Sequence, residues 1–344
     1  MASVVLHIGT HKTGTTALQA TFAAGRAALA ARGLVYPVLD GPEAGHHRLV
    51  TPWIDLGHRG YDGPAGIALW QALVARHAAG PGTLVLSSEG FSRARPRAVD
   101  FAGLAGLVAD FDRRTVVCYL RNQADYIQSI YLEVLKRGRW INFDRFVADC
   151  LAEGFAGGMF LDYATLHARV RAGFAPAEIR FLAYEDAVRH PGGIVRHFLA
   201  AIGSDAAPPI ATRSNVSPGP VALWAARRAR ARAGGLRPRV GTAATRAAFR
   251  AEVAAAERAV AAVAGEGVRT TLFTRRQLHR LHATFEPLNR ATEAAIATDG
   301  GTAPDLAPVA LAGPVVHRDE IDLARLETLL DAMLASGPQR RLGP

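Results

Sequence analysis

Five short runs of almost unbroken apolar residues punctuate the first two hundred positions of the chain. They are 4–8 (VVLHI), 34–38 (LVYPV), 83–87 (TLVLS), 115–120 (TVVCYL) and 179–183 (IRFLA). Continuous apolarity, unlike an alternating pattern, is what a strand needs when it is covered on both faces. Ala- and Leu-rich stretches between the runs read as helices at 15–32, 64–79, 98–111, 123–137, 143–153, 162–172 and 187–202. The βαβ rhythm predicts an α/β fold, a three-layer α/β/α arrangement around a central parallel sheet of about five strands.

The pattern changes after position 205. The segment SDAAPPIATRSNVSPGP reads as a loop from its Pro, Ser and Asn content. Residues 206–250 then contain nine Arg and no Asp or Glu. An Ala-rich helix is expected from about 243 to 297, a linker-like loop at 298–317 and a last amphipathic helix at 319–335. The chain shows no internal repeat. The expected organisation is a core over 1–205 and an Arg-rich loop with a helical extension over 206–344, packed on that core.

A length of 344 residues accommodates one large α/β domain with insertions, or two domains. No run of about 18 uncharged apolar residues suggests a membrane span. SVVLHIGT reads as a strand entering a loop, so no signal peptide and a cytoplasmic protein are expected. Cys118 and Cys150 lack C-x-x-C or His spacing, read as small buried hydrophobes, and give no metal site. The net charge of +10 points to an anionic ligand or partner without naming it. Of the 40 basic side chains only Lys12 and Lys136 are lysine, and Lys12 lies in a glycine-containing loop.

That loop, in LHIGTHKTGTTALQ, nearly matches the nucleotide-triphosphate pattern G-x-x-x-x-G-K-[ST]. Gly9 and Gly14 keep the spacing, but Thr15 replaces the Lys. A strand–loop–helix unit directs backbone N–H groups and the helix dipole at an anion. Thr13, Thr15 and Thr16 add hydroxyl donors. Lys12 instead projects from the crest of the loop, where it can neutralise a bridging oxygen on a short anhydride as leaving-group charge develops.

HKTGTT resembles the 5′-phosphosulfate loop of the sulfotransferases that use 3′-phosphoadenosine 5′-phosphosulfate (PAPS), whose lysine has this offset. VVCYLRNQADYIQSIY is similar to a second element of that family, a strand ending in Arg followed eight residues later by a helical Ser, here Arg121 and Ser129. FLAYEDAVRHPGGIVRHFLAAIG is similar to its strand–YED–helix segment, with Tyr184, Glu185 and Asp186 read as capping the next helix. The resemblance covers residues 4–203. It implies a P-loop NTPase-like fold, PAPS as cofactor with the bisphosphate PAP as product, no metal requirement, and a bacterial member of the family. It also implies that His11, Lys12, Thr13, Gly14, Thr15 and Thr16 hold the phosphosulfate and that Arg121 and Ser129 hold the 3′-phosphate. Two features depart from the family pattern. Gln123 stands where a Pro is frequent, and the Gly- and Lys-rich closing segment of cytosolic members is missing. RSNVSPG, residues 213–219, is similar to an element of bacterial members and offers Arg213 and Asn215 to close the site.

Sulfuryl transfer needs a base for the acceptor proton. Glu89, just past a strand end in LVLSSEGF, is the first candidate; a carboxylate pairing with Arg93 or Arg95 is the plainer reading. Ser87 and Ser88 are placed to touch the cofactor or orient Glu89. His47, with His46, is the alternative base, against a reading as exposed loop histidines. His11 is a further candidate, and His7 reads as packing. The Arg-rich stretch 224–239 reads either as a solvated helix face or as a basic rim for an anionic partner. The acceptor is a hydroxyl or amine, on a carbohydrate or glycolipid by the same resemblance, and no nucleic-acid module is present. Two alternatives stay open: a P-loop small-molecule kinase, and a non-catalytic nucleotide- or polyanion-binding protein.

Overall fold

The computed structural model describes residues 1–39, 43–55, 63–210, 218–233, 243–307 and 314–335. The strands are β1 (Ala2–His7), β2 (Leu34–Val35), β3 (Gly82–Ser87), β4 (Arg113–Leu120), β5 (Phe155–Ala156), β6 (Met159–Phe160), β7 (Ile179–Ala183), β8 (Arg269–Thr271) and β9 (Val315–His317). The helices are α1 (Thr15–Ala24), α2 (Arg26–Ala30), α3 (Gly63–His77), α4 (Phe101–Leu107), α5 (Gln123–Lys136), α6 (Phe143–Glu153), α7 (Tyr163–Arg171), α8 (Tyr184–Arg189), α9 (Gly193–Ala201), α10 (Pro220–Arg232), α11 (Ala243–Ala264), α12 (Arg275–Thr298) and α13 (Leu323–Ala335). Short 3₁₀ turns cover His47–Val50 and Glu89–Ser92. No helix among the described residues is long and apolar enough to cross a membrane.

The chain divides into two compact units. The first takes the described parts of 1–123, 154–214 and 285–308. It holds a five-stranded sheet in the order β2-β3-β1-β4-β7, parallel throughout. All five strands fall on the apolar runs, and the fold is the expected three-layer α/β/α. Successive side chains of a strand take opposite faces, and both faces are buried. Val4, Leu6, Leu84, Leu86, Val116, Cys118 and Leu120 pack with Trp70 of α3, Leu104 of α4 and Leu166 of α7. Val5, Val85, Val117 and Tyr119 pack with Leu18 and Phe22 of α1 and with Phe198 of α9. The helix following β1 therefore covers one face and the helix following β3 the other. Where adjacent strands send their connections to opposite faces, a crevice opens beyond their carboxyl ends.

Local chemistry explains where elements differ from expectation. β2 stops at Val35, because Pro37 has no N–H for the ladder. The helix expected at 15–32 divides at Gly25 into α1 and α2, and that expected at 187–202 divides at Pro191-Gly192 into α8 and α9. The helix expected over 243–297 is interrupted after Ala264 by Gly265-Glu266-Gly267 and by β8, which pairs in parallel with β9 from the expected loop. Tyr184, Glu185 and Asp186 do not cap α8. Its N-cap is Ala183, with no side-chain cap; Glu185 Oε1 accepts from the Asn122 N–H at 3.2 Å and Asp186 pairs with Arg189 at 2.8 Å.

The second unit takes the described parts of 124–153, 215–284 and 309–344. As far as Arg232, the arginines of the Arg-rich stretch are paired within the unit, while Arg228 and Arg232 keep part of their surface exposed. Val221–Arg227 are buried side by side on α10. Arg228 Nε and Arg232 Nη1 each lie 2.7 Å from the Glu327 carboxylate on α13, and Arg230 Nη1 lies 3.0 Å from Glu252 on α11. Arg227 donates to the Lys136 carbonyl at 3.1 Å and stacks on Phe249. Residues 234–239 lie outside the described residues.

Gly173, just past α7, gives a sharp test of the packing in the first unit. A Cβ there would run into the Phe101 carbonyl oxygen, a backbone atom with no room to yield. Gly173→Ala is expected to destabilise the protein by about 1–3 kcal/mol, read as a lowered urea midpoint.

Candidate functional site

The loop 8–14 leaves β1 and is pinned to the end of β4. Thr10 donates to the Tyr119 carbonyl through both its N–H, at 3.1 Å, and its hydroxyl, at 2.9 Å. Thr13 Oγ1 closes the loop on the Thr10 carbonyl at 2.6 Å. Gly9 and Gly14 have positive φ, and so does Lys12, at 65°. A left-handed conformation is uncommon outside glycine and is maintained only where surroundings fix it. Here the Lys12 carbonyl accepts from Arg121 Nη1 at 3.0 Å.

α1 starts at Thr15 behind Gly14, which supplies no side-chain cap. The first-turn N–H groups of such a helix have no intrahelical partner and favour an anion. Thr13 and Thr15 are buried, His11, Lys12 and Gly14 are half-buried, and Thr16 is exposed. Arg121 stands over the Tyr184 ring with its centre 5.3 Å away, its own carbonyl fixed by Tyr163 Oη at 2.5 Å. Its Nε is buried and has no hydrogen-bond partner among the described residues. A permanently charged guanidinium with an unused buried donor beside an uncapped helix start is suited to a phosphate oxygen.

Glu89 opens the 3₁₀ turn after β3, where Ser88 caps the turn through the Gly90 N–H at 3.2 Å. Gln19 Nε2 donates to Glu89 Oε2 at 3.1 Å and to Ser87 Oγ at 3.2 Å. Two imidazoles flank the carboxylate: His11 Nδ1 is 4.0 Å from Oε1 and His47 Nδ1 is 3.9 Å from Oε2. Burial pushes the Glu89 carboxyl up, but His47, His11, its own backbone N–H and Gln19 together hold it below the ordinary carboxylate range. Burial takes the His11 imidazole down to about 4 against the pull of Glu89, with Arg93, His47 and Lys12 adding to the decrease. The lowered carboxyl keeps Glu89 ionised at neutral pH.

The two histidines read as loop residues have separate places. His47 is half-buried and meets Ser88 Oγ at 3.0 Å through Nδ1. His46 is buried and clasps the end of β3: its N–H donates to the Ser87 carbonyl at 2.8 Å, and its Nδ1 accepts from the Ser87 N–H at 2.9 Å. Nδ1 is thus the acceptor, and Nε2–H donates to the Pro37 carbonyl at 3.0 Å, so a neutral tautomer is fixed and His46 is not a base. His7 does pack, against Tyr119 and Phe198, but it also reaches Ser87 Oγ at 2.8 Å through Nδ1.

The residues Lys12, Thr13, Gly14, Thr15, Thr16 and Arg121 come together on one loop and one strand end, and Glu89, His11 and His47 come together beside them in the first unit. Ser129 is half-buried on α5 in the second unit, next to Gln128, whose Oε1 accepts from Thr271 Oγ1 and the Leu272 N–H. Arg213 and Asn215 lie outside the described residues. Sequence reasoning missed Gln19. Its signal was its place four residues after Thr15, on the same helix face as the loop end.

No family model matches the chain, and no curated protein matches it. Among solved structures, it is similar to a sulfotransferase from Alicyclobacillus acidocaldarius at a TM-score of 0.39 and 20% identity, over 70% of this chain and 98% of that one.

Burial lowers His7 and His46 from 6.5 to about 4. A folded-state value below the unfolded one means that the unfolded chain binds the proton first. The stability these neutral rings contribute is complete above pH 6.5 and is lost as pH falls towards 4. Urea titrations at about pH 7 and about pH 5 are expected to show a marked loss at the lower pH, and His46→Gln, which keeps an acceptor without the titration, is expected to reduce that loss.

Proposed function

We propose that the protein is a sulfotransferase that uses PAPS, with an acceptor hydroxyl or amine as its second substrate. The observation that carries this reading is the loop itself. Lys12, left-handed at its crest, precedes an uncapped helix start and has its carbonyl tied to Arg121. A triphosphate loop places its lysine after the last glycine; this one places it before, suited to a shorter anhydride.

The residues present fit the donor. Lys12, the N–H groups at the start of α1 and the hydroxyls of Thr15 and Thr16 would hold the 5′-phosphosulfate. Arg121 has a spare buried donor for the 3′-phosphate. When bound, PAPS supplies an activated sulfuryl group on a phosphate leaving group. Glu89, already ionised, takes the proton from the acceptor as its oxygen or nitrogen bonds to sulfur. A carboxylate this weakly basic accepts that proton only as the new bond forms and the acceptor becomes acidic. Lys12 neutralises the charge that collects on the departing phosphate oxygen. His47 is the alternative base. A carbohydrate or glycolipid hydroxyl is the acceptor class to assay first. Within the described part of the Arg-rich stretch, Arg228, Arg230 and Arg232 are paired with carboxylates, and polyanion binding stays the alternative reading of that stretch.

Calorimetry with 3′,5′-adenosine bisphosphate, with AMP and with ATP plus magnesium tests the reading. The bisphosphate is expected to bind best. Arg121→Ala should weaken it by about 10- to 100-fold, the loss of one charge-assisted contact, and weaken AMP less, through the lost Lys12 carbonyl contact alone. Preference for ATP with magnesium would overturn the assignment. Lys12→Ala is expected to lower sulfuryl transfer by roughly 10²–10³-fold, measured as radiolabelled sulfate moved to an acceptor panel.

A further inference from the structure

We infer that Gln19 is the positioning residue of Glu89: its amide, carried on the helix that starts at the glycine loop, holds the carboxylate in one orientation. Only the name of base for Glu89 rests on the function proposed above; the hydrogen bond does not.

Gln19 is 5% exposed and stands one turn beyond Thr15 on α1. Its identity at the contact follows from chemistry. An ionised carboxylate only accepts, so the amide atom facing Glu89 Oε2 is the nitrogen. The second acceptor is Ser87 Oγ. Nearby, Tyr36 Oη donates to the Ala44 carbonyl at 2.7 Å. Ser87 Oγ also lies 2.8 Å from His7 Nδ1. The NH₂ group of Gln19 thus bridges two acceptors, Glu89 Oε2 and Ser87 Oγ. A flipped amide would turn its carbonyl towards the carboxylate.

The other charged or titratable groups facing this carboxylate act at longer range. His11 on the loop and His47 on the 3₁₀ turn stand about an ångström beyond hydrogen-bond reach, at 4.0 and 3.9 Å, while Arg93 and Lys12 act on His11. The amide makes the directional contact. Because α1 rises about 1.5 Å per residue, Gln19 lies a fixed ~6 Å along the axis from the helix start. The helix whose first turn faces the anion also carries the group that aims Glu89, so the separation between anion and carboxylate is built into one rigid element.

The test is carboxyl ¹³C NMR of Glu89 in the full chain, with Gln19→Met as an apolar side chain of similar volume. Removing a donor to the charged form raises the titration midpoint, and an upward shift of about one pH unit is expected. An unchanged midpoint in a folded Gln19→Met protein would overturn the proposal. A variant-free arm follows the Gln19 side-chain amide protons of the wild type, which are expected to move with the Glu89 midpoint; amide signals blind to that titration would also overturn it. In the transfer assay the acid limb of kcat/KM should shift upward with the carboxyl. A carboxyl shift with no shift of that limb would support Gln19 as the positioning group while removing Glu89 from its role as base, separating the two ideas.

Discussion

β1 is hydrogen-bonded in parallel to β3 on one side and β4 on the other, in register from Ala2↔Gly82 to His7↔Ser87 and from Ser3↔Arg113 to His7↔Val117. The remaining geometry of the first unit's site depends on this pairing. It brings the carboxyl ends of β1 and β3 level, with β4 running three residues further to Leu120, so the glycine loop after β1, the Ser88–Glu89 turn after β3 and Arg121 after β4 share one edge. The two buried faces stabilise the arrangement. At roughly 25 cal/mol per Å² of apolar surface removed from water, each fully buried Val, Leu or Phe contributes about 1.5–3 kcal/mol. That margin lets the loop end carry a left-handed Lys12, uncapped N–H groups and an ionised carboxylate without losing the fold.

The electrostatics of this edge separate two tasks. At the loop, a lysine, an arginine and the positive end of a helix converge. Beside it, Glu89 stays ionised although burial opposes its charge, because hydrogen-bond donors and imidazoles face it. The nearby buried histidines His7 and His46 are held neutral by their burial. A neutral ring can fix a hydrogen-bond direction, and His46 does so at the end of β3, where a charged ring would lose its acceptor nitrogen. The second unit uses charge differently. Arg228, Arg230 and Arg232 tie α10 to α11 and α13 through paired carboxylates, and such pairs, partly screened by solvent, set orientation more than they add stability.

The sequence by itself determined the sheet and the chemistry of the loop. Unbroken apolar runs can be satisfied only by strands with two covered faces, and a glycine-bounded turn between strand and helix presents N–H groups wherever it occurs. The placement of Lys12, Thr13, Gly14 and Arg121 at a loop and a strand end was legible because it follows from local order along the chain. Tertiary structure alone decided what lies across the crevice. Gln19 meets Glu89, and Gln19 and His7 meet Ser87, over separations of about 70 to 80 residues, and no local pattern encodes such meetings. The same holds for His46, buried by the Ser87 backbone, and for the arginines of α10, whose partners lie on α11 and α13. Whether a charged or titratable side chain faces water or a counter-charge depends on packing between elements, and local periodicity carries no record of it.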